Sequence, residues 1–349
     1  MATRFSNGYQ PAWLADLPDR SGAGQIVAEC ARQHADARRT LTDNAFLAER
    51  VAADVRHAGR LSLFGMGASH FANRIAAARL CALGVDAVAV PASEALYSPP
   101  ANDNPVIVTS QSGRSAEITG LLDRADSGRI IAGVTLNPDE PYGAVPTLLG
   151  AGGMEQAFAA TRSFTVTLAA FAALLAALGA GEADAIPASE PPIDAGVDQA
   201  FARVAAVRAF VASGRGAFEG VAALTALNIA ELARIPAAAH EGGQFRHGIV
   251  EMLSPHVGVI VFRAAGPSAS KWRDIGAICV RAGAPLVVLD ASGLEPIPDA
   301  LTIECPAGEG LASIYRLLPT LQALVLGIAA QRVPDVGAPR FCTKITDSE

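Results

Sequence analysis

The feature that most constrains this chain is an alternation. Short β-branched runs are followed repeatedly by longer, alanine-rich stretches with helical spacing of apolar positions. Leu61-Ser-Leu-Phe64 predicts a strand, 69–83 a helix, Ala87–Val90 a strand and Val106–Thr109 another. A helix over 115–126, a strand over Ile130–Leu136 and a long helix over 161–179 complete the first half. Parallel strands need a crossover between them, and helices supply it. The pattern therefore predicts an α/β fold: a parallel sheet with helices on both faces. Residues 22–58 carry helical periodicity ahead of the first strand.

Gly181–Pro192, rich in proline, alanine and acid, reads as a linker. The alternation then resumes with helices over 197–213 and 218–234, a strand over Val257–Phe262, a helix over 269–282, a strand over Pro285–Leu289 and a helix over 310–330. An irregular tail follows. The two halves read as one unit repeated. FGMGASHFANRIAAARLCALG parallels ASGRGAFEGVAALTALNIAEL, and IVTSQSGRSAE parallels VIVFRAAGPSA. The scaffold repeats while the chemistry does not. Where the first copy has Ser110, Gln111, Ser112 and Ser115, the second has Arg263, Ala264, Ala265 and Ser268. Hydroxyls serving only as helix caps would be expected in both copies. Their loss from the second points to a ligand held by the first alone.

The stretch TSQSGRSAE runs from the carboxyl end of a strand into a helix, where free backbone N–H groups and the helix dipole favour an anion. A second loop, Gly65-Met-Gly-Ala-Ser69, faces the same sheet edge, and parallel sheets bind ligands beyond that edge. Gly65 and Gly67 allow close backbone approach. With Ser69, Ser110, Gln111, Ser112 and Ser115 they form a neutral, donor-rich cradle suited to a phosphomonoester. The competing reading is ordinary capping around a tight turn. No Walker lysine accompanies the loop, which argues against a nucleoside triphosphate.

Composition narrows the classes further. The net charge is −7 and no basic run is present, which excludes a nucleic-acid partner by this criterion. Five scattered cysteines without a CxxC pair predict a reduced compartment and neither a disulfide framework nor a zinc site. No histidine pair has ligand spacing with a carboxylate, so neither metal nor organic cofactor is expected. The longest apolar run, Phe164–Ala180, reads as a buried helix rather than a membrane span, and the first twenty residues show no signal-peptide core. The expectation is a cytoplasmic protein without a membrane partner.

Only two lysines occur, Lys271 and Lys344, among 27 basic residues. Arginine replaces lysine where only charge matters, but not where a neutral amine must attack a carbonyl. Lys271, beside Trp272, reads as a surface residue. Lys344 lies five residues from the chain end, where a solvated tail is the usual outcome. Phe341, Cys342 and Ile345 around it predict docking instead.

The SQSGRSAE segment, the GMGAS loop and the duplicated architecture resemble the sugar isomerase (SIS) domain family. From about residue 60 onward the likeness is to the branch containing the isomerase half of glucosamine-6-phosphate synthase and stand-alone amino-sugar-phosphate deaminases and deglycases. It includes NIAELARIPAAAHEGGQFRHG and the tail DVGAPRFCTKITDSE. The resemblance implies two tandem SIS domains, each a flavodoxin-like three-layer sandwich. An N-terminal helical segment (1–58) would precede a first, phosphate-binding domain (59–186). A linker (187–198), a second domain (199–331) and a tail closing the active site (332–349) would follow.

By that resemblance Ser69, Ser110, Gln111, Ser112 and Ser115 fall on phosphate-binding positions. Glu231 falls on the family's proton-shuttling glutamate, and Lys344 on a lysine that forms an imine with the open-chain ketose. His247 falls on a histidine that reaches the neighbouring subunit's site and assists ring opening, which implies a homodimer. Read from the residues themselves, Glu231 in an apolar helical run could equally pair with Arg234, and His247 between glycines could be a surface residue. Whether His240 takes part is open. Ala68, Gln244 and Ile249 depart from the synthase's threonine, glutamate and proline. No glutaminase nucleophile stands near Met1, so ammonia drawn from glutamine is not expected. The implied activity is an amino-sugar or ketose 6-phosphate isomerase-deaminase of the glucosamine-6-phosphate kind. The alternatives are a fructosamine-6-phosphate deglycase, a simple aldose–ketose isomerase and a non-catalytic sugar-phosphate sensor.

Overall fold

A computed structural model of the chain describes residues 5, 8–124, 127–139, 142–194 and 196–344. In its described residues the chain divides into two compact units. One is drawn from Arg32–Gln156, Ala160–Ala188 and Arg340–Glu349, the other from Met1–Ala31, Ala157–Ala159 and Ser189–Pro339.

The first unit is built on β1 (Arg60–Gly65), β2 (Asp86–Pro91), β3 (Val106–Thr109), β4 (Ile130–Thr135) and β5 (Thr147–Leu149). All pairings are parallel, in the spatial order β2-β1-β3-β4-β5. The second unit holds β6 (Ala209–Gly214), β7 (Ala237–Glu241), β8 (Val257–Ala264), β9 (Leu286–Ala291) and β10 (Leu301–Glu304). These are also parallel, in the order β10-β9-β8-β6-β7. Numbered within its own sheet, each order is 2-1-3-4-5. The sequence repeat is thus a repeat of topology. In both sheets the order reverses between the first and third strands, where doubly wound sheets open a crevice.

The central strands are continuous apolar runs because helices flank the sheets: every residue of β3 and of β9 is buried. Helix Arg162–Ala177 is buried along almost its whole length and packs against helix Gln33–Asp43. Among the described residues, helix Gly310–Ala330 is long and apolar enough to cross a membrane, but 89% of its apolar window is buried inside the protein.

The sequence reading departs from the structure at identifiable places. The helix predicted over 197–213 is a helix only over Gly196–Arg203, and its second part is strand β6. Alanine at 209 and 212 suits either state, and burial decides it. Strand β7 is three alanines, His240 and Glu241, with no β-branched residue to announce it. Strands β5 and β10 are edge strands of three and four residues and were not anticipated. The 22–58 helical stretch is three helices, Ser21–Cys30, Gln33–Asp43 and Ala45–Ala58. Its last break falls at Asn44, whose side-chain amide donates to Thr40 O at 2.7 Å and to Leu149 O at 2.9 Å. The helix expected over 115–126 spans Ala116–Leu122, and residues 125 and 126 lie outside the described residues.

Candidate active site

In the first unit, β1 and β3 are neighbours at the switch point, and Gly65 is in register with Thr109. The two loops that follow therefore leave the sheet level with one another. The first enters helix Gly67–Ala82, the second helix Ala116–Leu122. A Cβ at Gly65 would stand 2.9 Å from Asn73 Nδ2 and 3.0 Å from Thr109 O, so only glycine fits. Asn73 is fully buried and its Oδ1 accepts from Thr109 Oγ1 at 2.8 Å, tying the first helix to the start of the second loop.

The backbone of the second loop is held by the end of β4. Ser110 N donates to Val134 O at 3.0 Å, and Gln111 O accepts from Leu136 N at 3.1 Å and Thr135 Oγ1 at 3.2 Å. Ser112 O accepts from Asn137 Nδ2 at 2.9 Å. The Tyr142 hydroxyl lies 3.2 Å from Ser110 O and 3.1 Å from Val134 O.

The serine side chains partly serve the turn itself. Ser110 Oγ is 3.0 Å from Ser115 Oγ and accepts from Gly113 N at 3.2 Å, while Ser112 Oγ accepts from Arg114 N at 3.1 Å. The capping reading therefore accounts for their acceptor side. A hydroxyl that accepts a backbone N–H still has its own proton to donate, so the turn orders these groups without exhausting them. Ser110 and Ser112 are buried, Ser69, Gln111 and Ser115 half-buried, and Gly67 is exposed where the long helix begins with φ of +49°. Glu117 is buried in the first turn of the second helix, and Arg114 is exposed.

His70, next to Ser69, is pushed down to a pKa of about 4 by burial and then by the charge of Arg74. It is neutral near pH 7. An anion in this cradle would meet N–H and O–H donors and the positive end of a helix rather than an imidazolium.

The tail returns to this same unit. Lys344 Nζ lies 3.3 Å from Glu155 Oε2, with its side chain 25% exposed. Of the apolar residues expected to dock the tail, Phe341 is 98% exposed and Cys342 is exposed. The contact at Lys344 is an ion pair. Ile345 lies outside the described residues.

No family model matches the chain. A glutamine–fructose-6-phosphate aminotransferase (isomerizing) of Gloeobacter violaceus is 28% identical over 284 residues, 72% of this chain and 46% of that protein. Its counterpart from Zymomonas mobilis is 26% identical over 320 residues, 83% of this chain and 52% of that protein. The chain spans about half the length of these curated relatives. Among solved structures, the C-terminal domain of glucosamine-fructose-6-phosphate aminotransferase from Francisella tularensis superposes with a TM-score of 0.77 at 18% identity, covering 90% of this chain and 98% of that one. A tagatose-6-phosphate ketose/aldose isomerase from Escherichia coli gives 0.74 at 20% identity, covering 95% and 98%. A glucosamine-6-phosphate deaminase from Thermotoga maritima gives 0.65 at 18%, covering 89% and 99%. These likenesses support the resemblance to the SIS domain family that the two loops carry.

In this chain the second copy has closed the equivalent place. Arg263, which parallels Ser110, is 1% exposed and is in register with Asp290. Its guanidinium meets Asp290 Oδ2 at 2.8 Å, Ala269 O at 3.0 Å and Glu295 O at 2.9 Å. The positive charge there already has its carboxylate, so that edge offers an external anion no vacancy.

Glu231 and His247 belong to the second unit, whereas Gly67, the cradle serines, Gln111 and Lys344 belong to the first. Glu231 is half-buried in the last turn of helix Phe218–Ala233. Its sequence-level rival partner, Arg234, forms a two-pronged pair with Asp335 at 2.7 and 2.9 Å. His247 is exposed in a turn after the short helix Gly242–Phe245, whose start is capped by Glu241. His240 is half-buried near the end of β7, and its carbonyl accepts from Ser213 Oγ at 2.7 Å. Lys271 is exposed, as read.

The sequence alone does not single out the supporting residues Asn73, Tyr142, Glu155 and Arg162. Asn73 lies within the apolar run FANRIAAA, where a polar residue facing the sheet is a signal. Glu155, six residues ahead of Thr161-Arg162-Ser163, marks a helix start capped from a distance.

Proposed function

We propose that the protein is a phosphosugar isomerase-deaminase of two tandem SIS domains, each a flavodoxin-like three-layer sandwich, acting on an amino-sugar or ketose 6-phosphate. The observation that carries this reading is the cradle: two loops leaving β1 and β3 in register, with backbone fixed and hydroxyls ordered by the turn. The names of the relatives and of the structural neighbours support the same substrate class.

In this reading the phosphate is held by Ser69, Ser110, Gln111, Ser112 and Ser115. His247, supplied across a homodimer interface, assists ring opening. Glu231 carries a proton between C1 and C2, a task for a carboxylate within about 3 Å of the carbon acid. That proton shift turns the C2 amine of the open-chain sugar into an imine. Lys344 as a neutral amine adds to it and expels ammonia, and water then hydrolyses the lysine imine to the ketose and frees Lys344. The net conversion is glucosamine 6-phosphate plus water to fructose 6-phosphate plus ammonia. The compartment is cytoplasmic in this proposal.

Purified protein incubated with glucosamine 6-phosphate and a panel of aldose, ketose and fructosamine 6-phosphates is expected to release ammonia and fructose 6-phosphate. No turnover of any member of the panel would defeat the enzymatic reading in favour of a sugar-phosphate sensor. Lys344 resting on a carboxylate also fits a lysine that stays cationic and stabilises an enediolate, as a simple aldose–ketose isomerase could use it. Interconversion of sugars without amine release identifies that case.

A further inference from the structure

Glu155 has no exposed side-chain surface and gathers an unusual number of donors. Its carboxylate accepts from Thr161 N at 3.1 and 3.3 Å, from Thr161 Oγ1 at 2.5 Å, from Arg162 N at 2.8 Å, and from Ser163 Oγ. It thereby closes the amino end of helix Arg162–Ala177 from outside the helix, a task that an N-cap serine or aspartate ordinarily performs alone. The oxygen that meets Ser163 is also the one that meets Lys344 Nζ.

The loop that carries Glu155 is itself pinned. Ala151 N donates to Thr40 Oγ1 at 2.8 Å. The Ala151 and Gly153 carbonyls accept from the Arg162 guanidinium at 3.2 and 2.7 Å, and Gly152 O accepts from Arg32 at 2.8 Å. Asp36 holds both arginines, at 2.8 Å for Arg32 and 3.4 Å for the fully buried Arg162. Burying such charges is costly, and a helix cap alone does not require it. What the network achieves is a fixed position for one carboxylate, which is what a flexible terminal lysine lacks.

We propose that Glu155 is a positioning residue for Lys344: it anchors the C-terminal tail to the start of helix Arg162–Ala177 and so sets where the amine stands when a sugar phosphate arrives. The proposal rests on the reading above that Lys344 acts on the sugar. The coupling runs both ways. The tail adds a cation to a carboxylate crowded with donors, and the carboxylate gives the tail a charged anchor.

Amide exchange of residues 340–344 and borohydride trapping with fructose 6-phosphate test it, on the full chain carrying E155Q, K344M, K344R or both E155Q and K344M. Both E155Q and K344M are expected to speed tail exchange about tenfold or more, as loss of a charged hydrogen bond does. The double variant should go no faster, and K344R should keep the protection. E155Q should also trap sugar at least about tenfold more slowly while binding fructose 6-phosphate with a Kd near the parent's. Unchanged tail exchange in E155Q, or additive effects in the double variant, would overturn the proposal. If E155Q does not fold, equal exchange in K344M and K344R does so. A parent protein that traps no sugar defeats the imine reading, while the exchange arm still decides whether Glu155 holds the tail.

Discussion

Tyr142 fills the space that any side chain on Gly133 would need. A Cβ at Gly133 would come within 1.7 Å of the Tyr142 ring. The ring is 4% exposed, burial drives its hydroxyl pKa well above the usual phenol value, and that hydroxyl braces Ser110 O. The glycine on β4 thus admits the ring that supports the Ser110 loop. Gly133→Ala forces the ring aside and is expected to cost about 1 to 3 kcal/mol, the range for overpacking a core. Tyr142→Phe, which removes only the hydroxyl, should cost about 1 kcal/mol. Denaturant unfolding of the two variants measures both, and equal stability of parent and Gly133→Ala would contradict the packing argument.

Arg162 tests the buried network in the same unit. Its side chain has no exposed surface, and it joins Asp36 to two loop carbonyls. Arg162→Met keeps the bulk but strands those carbonyls and half of the Asp36 charge. The expected loss is about 3 to 5 kcal/mol, the cost of breaking a buried ion pair from one side. Urea titration should show the midpoint falling at an unchanged slope.

His70 predicts a pH dependence whose sign is fixed by its burial. The folded-state pKa of about 4 lies below the ordinary value of 6.5, so between these two the unfolded chain binds more protons than the folded one. The stability associated with neutral His70 is present in full above about pH 6.5 and drains away as the pH falls toward 4. The charged group acting on it is Arg74, one helical turn on, and its repulsion adds to desolvation. In His70→Gln the drop in melting temperature from pH 7.5 to pH 5 should be smaller than in the parent. An identical drop removes His70 as the cause.

Much of this architecture is legible in the residues, for physical reasons. Strands such as Val106–Thr109 and helices such as Gly310–Ala330 declare themselves because burial on both faces demands apolar runs. The SQSGRSAE and GMGAS segments are legible as strand-to-helix turns because glycine and hydroxyl residues favour such turns. Strand β7 is not legible, because three alanines carry no period. The Glu155–Lys344 pair is not legible either: 189 residues separate its members, and no local pattern encodes a contact over that distance. Of the residues expected to dock the tail, Phe341 and Cys342 are exposed, since neighbouring apolar residues do not say which of them will find a surface.

The cradle makes the sharpest kinetic prediction. Ser110 Oγ and Ser112 Oγ each accept a backbone N–H of the turn; Ser112 keeps its own proton to donate, and the Ser110–Ser115 hydroxyl pair keeps one of its two. Removing such a donor from a phosphate dianion costs about 1.5 to 3 kcal/mol, or roughly tenfold to a hundredfold in binding. Ser110→Ala and Ser112→Ala should therefore each raise KM for a phosphorylated sugar at least about tenfold, with kcat less affected because the phosphate is remote from the reacting carbons. Loosening of the turn alone could mimic this, so thermal melts accompany the kinetics, with a loss near 1 kcal/mol per serine expected from the turn bonds. The second copy supplies the control. Ser268, which parallels Ser115 in the repeat, stands beside an edge already neutralised by Arg263 and Asp290, and Ser268→Ala should leave KM unchanged. A doubly substituted Ser110→Ala, Ser112→Ala protein with the parent's KM would show that these hydroxyls serve the turn and nothing else.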